Sequence, residues 1–169
     1  MKWGILGTSF ISGVMAEAIQ GDDKSELYAV AGRSEQNLKT FAEQYRIENT
    51  FNDYDALIAD EQVDIIYIAL PNHLHHDFIV KAAEQGKAIL CEKSLSVDME
   101  KTELALQAVE AHKVFLAEGL MYLHHPLIRE LVSVLKSGEI GELRSIHTSY
   151  IASIAQFVNP DSKGALYNL

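Results

Sequence analysis

Residues Val63–Leu70 read VDIIYIAL, are followed by Pro71-Asn72, and decide the expected fold. All of these eight residues except Asp64 are apolar, so an extended segment would be apolar on both of its faces. Strands of this kind are typical of parallel sheets, whose two faces are covered by helices. Proline has no N–H for a sheet ladder, so Pro71 is expected to end the strand.

Shorter apolar runs on both sides of this stretch predict further strands, and residues at helical spacing separate them. The predicted strands are Trp3–Leu6, Leu27–Ala31, Ala88–Cys91 and Val114–Ala117. Asp98–His112 is an example of the helical stretches between them. Alternation of strands and helices predicts an α/β fold with a doubly wound parallel sheet and right-handed crossovers.

Composition and charge exclude several classes of partner. The chain has 169 residues, with 24 Asp and Glu against 14 Lys and Arg, a formal net charge of −10. An acidic surface repels phosphates, so we expect neither a nucleic acid nor a membrane as partner. No apolar run approaches the ~18 residues of a membrane span, and the run before Gly7 is too short for a signal peptide. The single cysteine fits a reducing compartment, so we expect a cytoplasmic protein.

The turn after the first predicted strand carries a weakened dinucleotide-binding fingerprint. The fingerprint is G-x-G-x-x-G/A, and this chain has Gly7-x-Ser9-x-x-Ser12. Gly7 suits the tight turn, and Ser12 is small enough for close packing of helix on strand. We expect the free N–H groups of Ser9, Phe10 and Ile11 to face an anion at the helix N-terminus. A plain turn of an α/β protein is the alternative.

The end of the second predicted strand indicates which dinucleotide is bound. NAD sites usually have an acidic residue there, which bonds the ribose 2′-hydroxyl. This chain has Gly32-Arg33-Ser34 instead. An arginine suits a 2′-phosphate, so Arg33 and Ser34 predict NADP as cofactor, with NAD also compatible. A solvated loop arginine is the alternative.

Four segments, taken in order, resemble the Gfo/Idh/MocA family of NAD(P)-dependent oxidoreductases, in particular its dihydrodiol dehydrogenase and glucose–fructose oxidoreductase branch. The segments are Gly4–Phe10, Pro71–His75, Gly86–Leu95, and Glu118–Tyr122 ahead of His125-Pro126. The resemblance implies a Rossmann domain, residues 1–118. It also implies that residues 119–169 begin a second α/β domain with an open sheet.

The resemblance further implies a hydride transfer between the nicotinamide cofactor and a hydroxyl or carbonyl group of a sugar, inositol or diol. Lys93 matches the lysine that contacts substrate and nicotinamide ribose, and Glu92 matches its neighbour beside the cofactor. Leu70, Pro71, Asn72 and His75 match the loop that lines the cofactor. A lysine near a developing alkoxide can stabilise it or exchange a proton with it, which makes Lys93 the candidate catalytic residue.

The chain departs from the family pattern in places that bear on turnover. Ser94 stands where the motif has proline, and Asn168 stands where the family commonly has aspartate. The resemblance puts the acid/base residue beyond Leu169, so we expect little turnover from these 169 residues alone. A nucleotide-binding or oligomerisation module without turnover is the alternative function.

Two remaining features of the sequence bear on partner chains and on metal ions. Leu143–Ile154 alternates in part between polar and apolar residues and predicts a long strand. Such a strand needs partners, so we expect it to pair with another copy of the chain in a homo-oligomer. Folding back on the first domain and fraying are the alternatives. His73, His75 and His76 cluster, but the chain has no Cys or acidic set at zinc spacing, so we predict loop histidines near a cofactor and no metal site.

Overall fold

A computed structural model describes residues 1–149 and 151 and has a central sheet of six parallel strands. The strands are β1 (Lys2–Leu6), β2 (Glu26–Ala31), β3 (Asn49–Phe51), β4 (Ile65–Ile68), β5 (Ala88–Cys91) and β6 (Leu116–Glu118). VDIIYIAL contributes β4, of which all four residues are buried. The prediction of a strand covered on both faces is therefore confirmed, although the strand is shorter than the apolar run.

The strand order is β3-β2-β1-β4-β5-β6, so the direction of winding reverses between β1 and β4. The two strands pair in register, with Ile5 opposite Tyr67 and Leu6 opposite Ile68. This order is that of a doubly wound Rossmann sheet, and the predicted fold class is confirmed. Ligands of such sheets bind outside the carboxyl ends of the strands, next to this reversal.

Six helices accompany the strands. They are α1 (Phe10–Gln20), α2 (Glu35–Tyr45), α3 (Tyr54–Ile58), α4 (Asn72–Glu84), α5 (Met99–His112) and α6 (Pro126–Ser137). Among the described residues, no helix is both long enough and apolar enough to cross a membrane.

Two apolar clusters hold helices against opposite faces of the sheet. In one cluster Ile5 and Tyr67 pack with Ala16 of α1 and Phe41 of α2. The other, larger cluster joins the alternate strand residues to α3, α4 and α5, for example through Ile79. Adjacent strand residues point to opposite faces, which is why a strand such as β4 must be apolar throughout.

Local signals set most helix ends where the sequence predicts them. Ser34 caps α2 and its side chain accepts the N–H of Asn37, while Asp98 caps α5 in the same way through Lys101. Gly86, with φ +69°, follows the last turn of α4, a position that favours glycine.

Contacts divide the chain into two compact units, Met1–Gly119 and Leu120–Asn168. The described part of the second unit contains a 3-10 helix, Met121–His124, and α6. The division of the chain into a Rossmann domain and the start of a second domain stays a prediction.

The predicted strand at Leu143–Ile154 is wrong over the residues that the structure describes. Residues 143–149 and 151 have no strand structure, and the other residues of the segment lie outside the described part. A strand is defined by backbone hydrogen bonds to a neighbour. Partial alternation alone supplies none, and no described strand pairs with this segment.

Candidate functional site

The predicted site residues lie on four turns at one edge of the sheet. These turns follow β1, β2, β4 and β5, and parallel strands bring their carboxyl ends to the same edge. Backbone hydrogen bonds join neighbouring turns: Gly7 N–H donates to Ala31 O at 2.9 Å, and Ala69 N–H donates to Leu6 O at 3.0 Å. On the other side of β4, Glu92 N–H donates to Ile68 O at 2.9 Å.

Gly7 makes the tight turn out of β1, as predicted. Its φ is +105°, a conformation that side chains rarely adopt. A Cβ atom added there would lie 2.8 Å from the carbonyl oxygen of Ala69. Backbone conformation and available space therefore both require glycine at the point where the chain crosses from β1 to α1.

The turn continues into α1 through a reciprocal pair of serines. The Ser9 side chain accepts the N–H of Ser12 at 3.4 Å, and the Ser12 side chain accepts the N–H of Ser9 at 3.2 Å. The expectation of a free Ser9 N–H is therefore wrong, because Ser12 already uses that donor. Phe10 and Ile11 open the helix, and the first N–H groups of a helix have no acceptor within it. The N-terminus of α1 therefore offers fewer backbone donors than the fingerprint provides.

The β2–α2 turn lies beside the β1–α1 turn. A Cβ atom added to Gly32 would be 3.1 Å from Cγ2 of Thr8, so the two turns are in close contact. Arg33 and Ser34 are exposed next to them, and Ser34 is also the N-cap of α2. No acidic residue precedes the exposed Glu35 after the end of β2.

The β4–α4 turn contains the third group of predicted residues. Leu70 is 8% exposed, Pro71 is exposed and Asn72 is half-buried at the start of α4. His73, His75 and His76 lie in α4 itself, so their assignment to a loop is wrong. Asn72 begins the helix directly after Pro71 and leaves no loop between them.

His75 is completely inaccessible to solvent and does not face the open edge of the sheet. Its Nε2 lies 2.7 Å from the carbonyl oxygen of Leu70, and its Nδ1 lies 2.7 Å from that of Ser94. The side chain thus lies between the β4–α4 turn and the segment that follows Lys93.

Glu92 and Lys93 leave β5 at the same edge and are both half-buried. Tyr67, which is 2% exposed on β4, donates a 2.7 Å hydrogen bond from its hydroxyl to Oε1 of Glu92. Burial, the hydrogen bond and the charge of Glu92 raise the pKa of Tyr67, so the phenol keeps its proton and fixes the carboxylate. The Lys93–Ser94 peptide bond is cis.

Two contacts at this edge were missed by the sequence reasoning. One is the Tyr67 bond to Glu92, and the other is a 2.8 Å bond from Leu95 N–H to Oε1 of Glu118. Tyr67 offered a weak signal, since it has the one polar side-chain atom between Asp64 and Pro71. Glu118 offered none, because its partner is 23 residues away.

The chemistry of these residues fits a dinucleotide. Within residues 1–149 and 151, no three His, Cys, Asp or Glu side chains come together as a metal site. The helix N-terminus after Gly7, the exposed Arg33 and the half-buried Lys93 lie past the carboxyl ends of β1, β2 and β5. Fold and site thus define a chain of the dinucleotide-binding class.

Comparison with known proteins agrees with this assignment to the dinucleotide-binding class. Residues 1–120 match the Gfo/Idh/MocA oxidoreductase family, described as having an NAD-binding Rossmann fold. The chain belongs to this family.

Three similar proteins illustrate the comparison. An uncharacterized oxidoreductase of Rhizobium meliloti is 33% identical, with 100% of this chain and 52% of the relative covered. A D-xylose 1-dehydrogenase (NADP(+)) of Haloferax volcanii is 36% identical, with 89% and 46% covered. A 3-ketoreductase from Actinomadura kijaniata, solved with NADP and TDP-benzene, superposes with a TM-score of 0.78 at 31% identity, with 84% and 44% covered. The chain spans about half the length of these relatives.

Proposed function

We propose that this chain is the cofactor-binding part of an NADP-dependent oxidoreductase that transfers a hydride to or from a sugar, inositol or diol. The observation that carries the proposal is the convergence of the β1–α1, β2–α2, β4–α4 and β5 turns at the reversal of the sheet. Bound NADP supplies the hydride chemistry, and the protein supplies binding, orientation and charge.

Each turn has a separate part in binding the cofactor. The N-terminus of α1, with Phe10 and Ile11, receives the pyrophosphate, because helix N–H groups and the helix dipole favour anions. Arg33 and Ser34 receive the 2′-phosphate, which an arginine binds through charge-assisted hydrogen bonds. Leu70, Pro71 and Asn72 support the nicotinamide half from β4.

Lys93 is the proposed catalytic residue. It leaves β5 at the edge where the nicotinamide would lie, next to a Glu92 carboxylate that Tyr67 holds in place. A lysine there stabilises charge on the substrate oxygen or exchanges its proton. The site then acts on a carbon that bears a hydroxyl or carbonyl group.

Titration of NADP and NAD into the chain tests the cofactor assignment. We expect NADP to bind more tightly, and Arg33→Ala to weaken NADP binding by about 10- to 150-fold, the worth of a charge-assisted hydrogen bond, while NAD binding stays nearly constant. Lys39→Ala is the control, because it removes one exposed cation from helix α2, which begins just after Arg33. Equal dissociation constants for both cofactors, or equal losses for both in Arg33→Ala, would contradict the assignment.

The role of Lys93 is tested by Lys93→Met in any preparation that reduces NADP with sugars, inositols or diols. We expect a loss of turnover of about 10²- to 10⁴-fold, typical of removing a positioned proton-transfer group. Affinity for NADP should change little. Turnover that persists in Lys93→Met would show that the lysine is not catalytic.

We also infer a cytoplasmic homo-oligomer that acts on small molecules. The single cysteine, which is buried, supports a reducing compartment. Exposed apolar side chains of α6, Leu127 and Leu131, support association. Cell fractionation and sedimentation test the two statements.

A further inference from the structure

His75 is the one buried histidine among the seven in the chain. It lies in the first turn of α4, with no exposed surface. Both of its ring nitrogens are 2.7 Å from a backbone carbonyl oxygen, Nε2 from Leu70 O and Nδ1 from Ser94 O. Water cannot reach either nitrogen.

Both carbonyl groups can accept a hydrogen bond from the ring. A carbonyl oxygen only accepts hydrogen bonds, whereas each ring nitrogen of histidine is able to carry a proton and donate it. The ring therefore connects the backbone of the β4–α4 turn with that of the segment after Lys93.

The two carbonyl groups belong to the two segments expected beside the nicotinamide. Leu70 precedes Pro71 and Asn72, and Ser94 follows Lys93. We propose that His75 is a positioning residue whose ring, through its contacts with Leu70 O and Ser94 O, fixes the β4–α4 turn relative to Lys93. The proposal rests on the proposed function, because it assigns these segments to the cofactor site. Its benefit is preorganisation, since segments already held in place lose less freedom when the cofactor binds.

The bridging contact is tested on the unaltered chain, without cofactor. NMR of labelled histidine should show a ring N–H of His75 that exchanges slowly with water, because both ring nitrogens lie 2.7 Å from a carbonyl oxygen in a buried site. Its signal is distinguished from that of His76, whose Nδ1 is also buried, because it persists in His76→Gln. Rapid exchange of the His75 ring proton would overturn the proposal. This result does not depend on whether the chain binds NADP.

The positioning role is tested by variants that each keep one donor. The amide nitrogen of His75→Gln falls near the Nε2 position, and that of His75→Asn falls near the Nδ1 position, so each retains one of the two bonds. His75→Leu retains neither. His112→Gln, at an exposed position in the last turn of α5, is the control.

We expect NADP binding to weaken by about 3-fold or more in His75→Gln and His75→Asn, and by about 10- to 30-fold in His75→Leu, in proportion to the bonds lost. NAD binding should weaken to the same extent, because the 2′-phosphate is not involved, unlike the loss in Arg33→Ala. Unchanged affinity in folded variants would overturn the positioning role. If no variant folds, the NMR measurement on the unaltered chain decides. Absence of dinucleotide binding by the unaltered chain would instead refute the proposed function.

Discussion

Cys91 illustrates how one buried side chain links stability to pH. It ends β5 with no exposed surface, directly before Glu92. Burial, followed by the charges of Glu118 and Glu92, raises the pKa of its thiol well above the ordinary value. The folded chain therefore keeps the thiol protonated at a pH where the unfolded chain loses the proton.

The raised pKa of the thiol makes the folded chain less stable as the pH rises. A raised pKa in the folded state gives stability that is present below about pH 8.5 and declines above it. We expect the free energy of unfolding of the unaltered chain to fall by about 2 kcal/mol more than that of Cys91→Ala between pH 8 and pH 10. Urea denaturation at a series of pH values measures the difference. Parallel curves for the two proteins would contradict it.

At the scale of elements, α1 depends on its first turn. Ser9 caps the helix and Ser12, which is completely buried, returns the hydrogen bond. The family fingerprint has glycine at the Ser9 position, and glycine is also tolerated as an N-cap. The chain can therefore use serine here for helix stability, although the Ser9 N–H is then occupied.

A substitution series at Ser9 tests this account. Ser9→Ala should lower the free energy of unfolding by about 1 kcal/mol, as at other N-caps. Ser9→Gly should lower it by only a few tenths of a kcal/mol. Ser25→Ala is the control, because its hydroxyl bonds Asp22 in a loop and caps no helix; its effect should stay within about 0.5 kcal/mol. Urea denaturation measures all three. A Ser9→Gly variant as unstable as Ser9→Ala would rule the capping account out.

At the scale of the whole molecule, the first unit contains everything that the nucleotide fold needs. All six strands and the buried residues of both apolar clusters lie within Met1–Gly119. In the described part of the second unit, α6 instead exposes large apolar side chains, with Leu127 67% and Leu131 52% exposed. The first unit has a core of its own, which is the property of an independent domain.

A chain shortened to residues 1–119 is therefore expected to fold and bind NADP. We expect a single cooperative unfolding transition, because the complete core is retained, and a dissociation constant within about threefold of the 169-residue chain. Self-association, which we attribute to the second unit, should be lost. Calorimetric titration and sedimentation velocity measure these properties. An unfolded shortened chain, or one that still self-associates, would contradict the expectation.

The sequence by itself determined the parts of this protein that depend on neighbouring residues. VDIIYIAL predicted a buried parallel strand, Asp98–His112 a helix, and Gly7 a tight turn, because apolar pattern, caps and backbone conformation act within a few residues. The ordered motifs also predicted the family, since their order along the chain needs no structure to be recognised.

Only the tertiary structure decided which distant groups meet. The burial of His75 between Leu70 O and Ser94 O, and the Tyr67 bond to Glu92, join residues from different strands and turns. No local pattern specifies such partners. The same holds for 143–149, where alternation predicted a strand, but a strand also needs a neighbour to accept its hydrogen bonds.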